Sequence, residues 1–126
     1  MTFNWSEYLN LAEELAQTTD EAKLRSAISR AYYAAFINSR NFLQERDSLT
    51  IPAENTHKYI INQFKNSTDP VRIKIGRRLL RLRGFRNQAD YENTFLLLVE
   101  KTQESLTLAR RIISNLDNLW QNKQRA

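Results

Sequence analysis

Apolar positions recur at three- and four-residue spacing through most of this chain, the signature of amphipathic helices. Tyr8, Leu11, Ala12 and Leu15 place a first helix over about Ser6 to Gln17, with Ser6 as its N-cap. Thr18, Thr19 and Asp20 stop it and cap a second helix, which runs from about Glu21 to Arg46 without a Gly or Pro. On that helix Leu24, Ala27, Ile28, Ala31, Ala35 and Phe42 form one apolar stripe, and the small side chains of Ala27, Ala31, Ala34 and Ala35 let another helix approach closely. Residues Asp47 to Ala53 read as a loop, because Pro52 disfavours helical backbone at Ile51. A third helix is expected from Asn55 or Thr56 to Asn66, with Tyr59, Ile60 and Phe64 inward. Asp69 followed by Pro70 is a start signal for a fourth, running through about Gln88. A last long helix is expected from Asn93 or Thr94, with Leu97, Leu98, Lys101, Leu108, Ile112, Leu116 and Leu119 available for its inner face.

The pattern predicts an all-α, antiparallel up-and-down bundle of four to five helices. At 126 residues, with no repeat or linker to divide it, the chain is expected to form one domain over 1–126. Two Gly and two Pro are too few for the tight turns of a sandwich or barrel. The absence of Cys removes disulfides, thiolate nucleophiles and Cys-ligated zinc, and a single His leaves no second imidazole for a metal cage, so no metal or cofactor is expected. No apolar run approaches the roughly 18 residues of a membrane span, and the first residues lack the features of a signal peptide. A cytoplasmic protein without a membrane partner is the expectation.

Charge changes this picture because it is sorted along the chain. Residues 1–21 carry Glu7, Glu13, Glu14, Asp20 and Glu21 with no Lys or Arg; residues 71–89 carry Arg72, Lys74, Arg77, Arg78, Arg81, Arg83 and Arg86 with no acid. Guanidinium groups match phosphate oxygens in a planar fork, so RNA or a nucleotide is one expected partner. The alternative is a solvated face that pairs with an acidic helix of the same or a neighbouring chain. At about 100° per residue, Val71, Ile75, Leu79 and Leu82 share the core sector of the fourth helix, while Lys74, Arg77, Arg78 and Arg81 share another. Arg86 projects between Ile75 and Leu79, where a buried guanidinium requires a partner. Asp90 at i+4 can supply it, and the Tyr91 ring is close enough in sequence to complete a local cluster. Such an Arg either ends the helix in a local Arg86–Asp90 ion pair or stands at the mouth of a functional cleft. The candidate nucleotide- or RNA-binding residues are therefore Lys74, Arg77, Arg81 and Arg86, and the candidates for chemistry are Arg86, Asn87, Tyr91 and His57. His57, at the start of the third helix, reads more readily as a surface or capping residue than as a catalyst. No Gly-rich phosphate loop and no Gly-x-Ser-x-Gly elbow is present.

Three stretches carry a resemblance: Ser26 to Phe36 (SAISRAYYAAF), then Thr56-His57-Lys58, then Arg86 to Tyr91 (RNQADY). In this order they resemble the HEPN superfamily, in its small stand-alone prokaryotic branch, over nearly the whole chain. The resemblance implies a helical bundle that forms a homodimer and works beside a minimal nucleotidyltransferase, commonly as a toxin and antitoxin pair. Active HEPN ribonucleases carry an Arg, usually followed by a polar residue, and a His with four to six residues between it and the Arg. Arg86 and Asn87 match the start of that motif, while Tyr91, Glu92 and Asn93 stand where the His belongs. Binding of RNA or nucleotide is thus the first expectation, a metal-independent endoribonuclease the second, and a structural protein–protein docking module the third. The dimer face expected from the sequence is Tyr33, Ile37 and Arg40, opposite the apolar stripe of the second helix.

Overall fold

The structure is a computed structural model that describes residues 2–125, with side chains through Asn122. It is all-α, with five helices: α1 (Glu7–Leu15), α2 (Glu21–Glu45), α3 (Thr56–Lys65), α4 (Pro70–Tyr91) and α5 (Leu98–Arg125). No strand and no helix long and apolar enough to cross a membrane occurs among the described residues. The starts of α2 and α4 are capped as their sequences require. The Asp20 carboxylate accepts from the Lys23 N–H at 3.0 Å and the Asp69 carboxylate from the Val71 N–H at 2.8 Å, with Pro70 in the first turn.

One cap and two boundaries differ from the sequence reading. Ser6 stands at the start of α1 but makes no side-chain cap. Its hydroxyl instead accepts from Asn38 Nδ2 at 3.2 Å, and Asn4 Oδ1 takes the Ser6 N–H at 3.0 Å. The fourth helix runs to Tyr91 rather than Gln88, and α5 begins at Leu98 rather than Asn93 or Thr94. Between them the chain turns through Leu97 in the left-handed region, φ 58°, which leaves Leu97 exposed instead of on the inner face of α5. The Arg25 guanidinium, from α2, caps this end of α4. Its Nη1 donates to the carbonyls of Ala89 (3.1 Å) and Glu92 (2.6 Å), and its Nη2 to that of Asn93 (3.3 Å).

The same contacts give the helix directions. The start of α2 meets the end of α4 through Arg25, and Asp47, just past α2, takes two hydrogen bonds from Arg72 at the start of α4 (2.6 and 2.9 Å), so α2 and α4 are antiparallel. Arg81 pairs with Glu104, and Lys101 lies 5.3 Å over the Phe85 ring, which makes α4 and α5 antiparallel as well. Phe42 packs edge-on to Trp120 at 5.4 Å, so the C-terminal parts of α2 and α5 lie together. The shared core comprises Ile28, Ala31, Tyr32, Ala35 and Phe42 of α2, Ile60 and Phe64 of α3, Ile75, Leu79 and Leu82 of α4, and Ala109, Ile112 and Leu116 of α5. Burial of each large member is worth about 1.5–3 kcal/mol. The short α3 is seated on α4 at Gly76, where a Cβ would stand 2.4 Å from the Lys65 backbone nitrogen and 2.6 Å from its Cα. Only a glycine lets the two backbones approach this closely, and that seating fixes where α3, with His57 in its first turn, meets α2 and α4.

Candidate functional site

One face of α2 and the C-terminal half of α4 form a polar ladder. Arg25, Ser29 and Tyr33 follow one another at four-residue spacing on α2, and their partners on α4 run the opposite way: the terminal carbonyls, Asp90 and Arg86. Arg86 is the inward-pointing residue that helical projection predicts, only 7% exposed. Its Nη2 donates to Tyr33 Oη at 3.0 Å and its Nη1 to Asn87 Oδ1 at 3.0 Å. The guanidinium also lies over the rings of Tyr32 and Tyr33, 5.2 and 5.3 Å from their centroids. Its Nε is buried without a hydrogen-bond partner. The nearest carboxylate, Asp90, is 3.8 Å from that Nε, beyond hydrogen-bonding reach, and is tethered by Ser29 Oγ at 3.3 Å with its side chain 30% exposed. The expected Arg86–Asp90 pair therefore exists as a loose ion pair.

His57 enters from the start of α3. Its ring stacks on Phe36 with centroids 4.1 Å apart and planes 11° from parallel, and its Nδ1 lies 2.6 Å from Tyr32 Oη. Burial, followed by the Arg83 and Arg86 charges, lowers its pKa from 6.5 to about 4, so the imidazole is neutral at neutral pH. Burial also pushes the Tyr32 phenol well above its ordinary value, against the pull of Arg83 and Arg86, so Tyr32 keeps its proton. The Tyr32 Oη–His57 Nδ1 hydrogen bond leaves Nε2 as the ring nitrogen outside this contact, and the imidazole tautomer sets which of the two partners donates. Arg83, one turn before Arg86, completes the cluster, and its Nε is likewise buried without a hydrogen-bond partner. Two guanidinium groups, with Nε donors unused, thus act on one neutral imidazole, and one of them, that of Arg86, also lies near a loosely held carboxylate.

Of the sequence candidates, the structure brings together Arg86, Asn87, Asp90 and His57. Tyr91 does not join them: its ring is 74% exposed, and the phenols around Arg86 are those of Tyr32 and Tyr33. Arg81 leaves the basic patch for Glu104 and the Phe85 ring, whose centroid is 5.0 Å away. Lys74 and Arg77 are exposed on α4, with Arg77 nine positions before Arg86, roughly 13 Å along the helix axis. Sequence reasoning missed Arg83, Tyr32, Tyr33 and Ser29 as members of the cluster. Arg83 carried a signal, since it lies one turn from Arg86; the two tyrosines stand side by side in the α2 motif, but nothing local says which α4 residue they meet. Among the described residues there is no enclosed pocket and no group of three or more His, Asp or Glu side chains placed to hold a metal ion. Comparison with known proteins finds no matching family model, no matching curated protein and no matching solved structure.

Proposed function

We propose that this protein binds the phosphate groups of RNA or of a nucleotide at the cluster formed by Arg83, Arg86 and His57. The observation that carries the reading is the pair of buried Nε donors on Arg83 and Arg86 that have no hydrogen-bond partner within the chain. Leaving a buried donor unmade costs on the order of 1–3 kcal/mol, and more for a charged group, and an anion that accepts from both recovers that cost. The charge balance points the same way, because the Arg83 and Arg86 charges both act on Tyr32 and His57, while the carboxylate nearest Arg86, that of Asp90, is 3.8 Å away. His57 adds a ring nitrogen beside the two guanidinium groups, while Lys74 and Arg77, roughly 120° and 180° around α4 from Arg86, lie outside this cluster.

The same chemistry favours binding over cleavage. An imidazole whose pKa is held near 4, and whose Nδ1 is engaged with Tyr32, is a poor general acid near neutral pH. The endoribonuclease reading draws support from one feature, the arrival of His57 beside Arg86 from a different helix, in place of the His absent after Arg86. The HEPN resemblance adds the proposal that the protein is a homodimer and the partner of a minimal nucleotidyltransferase in a toxin–antitoxin-like pair. The test is retention of a single-stranded RNA and of pyrophosphate at low salt by wild type, Arg83→Gln and Arg86→Gln, in buffer containing a chelator. Salt-sensitive binding by wild type, weakened about tenfold or more in each variant without loss of fold, is expected. No retention by wild type overturns the reading, and metal-independent RNA cleavage that disappears in His57→Ala replaces it with the endoribonuclease.

A further inference from the structure

The face of α2 that lies between α1 and α4 is open. At about 100° per residue, Ser26, Arg30, Tyr33, Ile37 and Arg40 share a sector of roughly 80° on this helix. It is bounded on one side by Arg25 and Ser29, which engage α4, and on the other by Asn38, which donates to Ser6 Oγ at the start of α1. No contact joins α1 to α4 among the described residues, so the strip is the floor of a groove between them. Arg86 reaches this floor from the α4 bank, at Tyr33. The opposite bank carries three rings, Phe3, Trp5 and Tyr8, packed edge to face with centroids 4.9, 5.3 and 5.6 Å apart. Tyr8 is seated on the core, while Phe3, which packs on Tyr8 and Trp5, is 49% exposed. The turn that presents these rings is fixed by hydrogen bonds: the Asn4 and Trp5 carbonyls accept from the Glu7 and Tyr8 N–H groups at 3.0 and 3.1 Å. Arg30 links floor and bank, its guanidinium 4.9 Å over the Tyr8 ring.

The charge of the groove selects its occupant. Between Glu21 and Glu45, α2 carries no acid. Arg30 forms no ion pair among the described residues, and Arg40 donates only to the neutral Asn41 amide. A second copy of this chain laid on the strip across a two-fold axis would set these cations against their own likes, with no acid on the strip to separate them. A polyanion meets no such opposition. A lone phosphate is satisfied by Arg83 and Arg86 and leaves Arg30 and the rings unused. An unpaired strand uses them all, because every link carries a phosphate and every base has a face that stacks on an aromatic ring. Arg30 stands one turn from Tyr33, and Tyr33 accepts from Arg86, so the two guanidinium groups lie on neighbouring parts of one surface. We infer that the groove continues the phosphate site across α2 and takes a single-stranded nucleic acid, with one phosphate at Arg83 and Arg86, a following one at Arg30, and a base stacked on the exposed ring of Phe3. The inference rests on the phosphate reading above and names its ligand as a strand, not a lone nucleotide.

The test compares three probes at low salt, pyrophosphate, an abasic tetranucleotide and an adenine tetranucleotide, on wild type, Phe3→Ala, Arg30→Gln and Arg86→Gln. Wild type is expected to hold the adenine tetranucleotide at least about fivefold more tightly than the abasic one, the lower bound for a single base stacked on a ring. Phe3→Ala should melt within a few degrees of wild type, since its ring lies outside the core, and should lose the preference for bases while binding pyrophosphate unchanged. Arg30→Gln should weaken both tetranucleotides about fivefold or more, flatten their salt dependence and leave pyrophosphate unchanged, whereas Arg86→Gln should weaken all three. In a Trp120→Phe background Trp5 is the only tryptophan, and its fluorescence should respond to the adenine tetranucleotide and not to pyrophosphate. Pyrophosphate binding with no gain from bases, or a base preference that Phe3→Ala leaves intact, overturns the inference and leaves the phosphate reading standing. Retention of no probe by wild type overturns both. If Phe3→Ala and Arg30→Gln change the sedimentation mass but no probe's affinity, the groove is an interface between copies and the inference falls.

Discussion

The loose Arg86–Asp90 pair makes a sharp prediction for Asp90→Asn. The substitution keeps the side-chain shape and the hydrogen-bonding potential toward Ser29 but removes the one carboxylate near Arg86, 3.8 Å from its Nε. Exposed pairs contribute about 0–1 kcal/mol and fully buried ones, when broken, about 3–5 kcal/mol. This pair joins a buried guanidinium to a partly exposed carboxylate without a hydrogen bond, and Arg86 keeps Tyr33, Asn87 and two ring faces, so a loss of about 1–2 kcal/mol is expected, a fall of about 4–8 °C in melting temperature. If Asp90 occupies the place an added anion would take, the same variant should bind pyrophosphate more tightly than wild type. A tenfold gain is 1.4 kcal/mol, so pyrophosphate well above its dissociation constant should return most of the lost stability. The assay is thermal melting of both proteins across a pyrophosphate series, with sodium chloride controls matched for ionic strength. Two results would refute the reasoning: pyrophosphate stabilises wild type but not Asp90→Asn, or it protects both no better than chloride does.

How much of the fold and the site the sequence alone makes legible follows from what each element depends on. The helices α2, α3 and α4 were readable because their stop and start signals, Asp20, the Pro52 loop and Asp69-Pro70, act within a few residues of the chain. The inward course of Arg86 was readable for the same reason, since helical periodicity is local. The end of α4 was not, because it is set by Arg25, 63 or more residues away in sequence, whose donors bind carbonyl oxygens that every residue possesses. The site was half legible. Arg86, Asn87, Asp90 and His57 stood out as residue types, but the link between His57 and Arg86 runs through Tyr32 and Tyr33, and depends on how closely α3 sits on α4 at Gly76. The choice of Tyr91 as the aromatic partner failed at the same point: adjacency in sequence put it beside Asp90, whereas the helix turns it to the far side.

Two further predictions follow from the seating of α3 and from His57. Gly76→Ala forces a Cβ into the Lys65 backbone, which cannot rotate away as a side chain can, so the variant should lose about 2 kcal/mol or more in denaturant unfolding; a neutral result would mean that α3 slides freely on α4. For His57, the folded chain holds the pKa near 4 while the unfolded chain titrates near 6.5. The unfolded state therefore binds the extra proton between those values, and stability should fall as pH drops from about 6.5 to about 4 while remaining indifferent to this residue above that range. The full displacement is worth about 3 kcal/mol at about 1.4 kcal/mol per pH unit, and the partial exposure of the ring reduces the expected effect to about 1–2 kcal/mol. Carboxylates such as Asp47, whose pKa the Arg72 hydrogen bonds hold below its ordinary value, lose their contribution at the acidic end and beyond, so the comparison must be with His57→Gln across the same range. The wild type should lose stability more steeply than His57→Gln between pH 6.5 and 4. Because the chain has a single His, its imidazole resonances can be followed without assignment. Pyrophosphate bound at Arg83 and Arg86 should raise their titration midpoint, since the anion offsets the two charges that now oppose protonation, and a midpoint near 6.5 in the free protein, or one that pyrophosphate does not move, would place His57 outside the cluster.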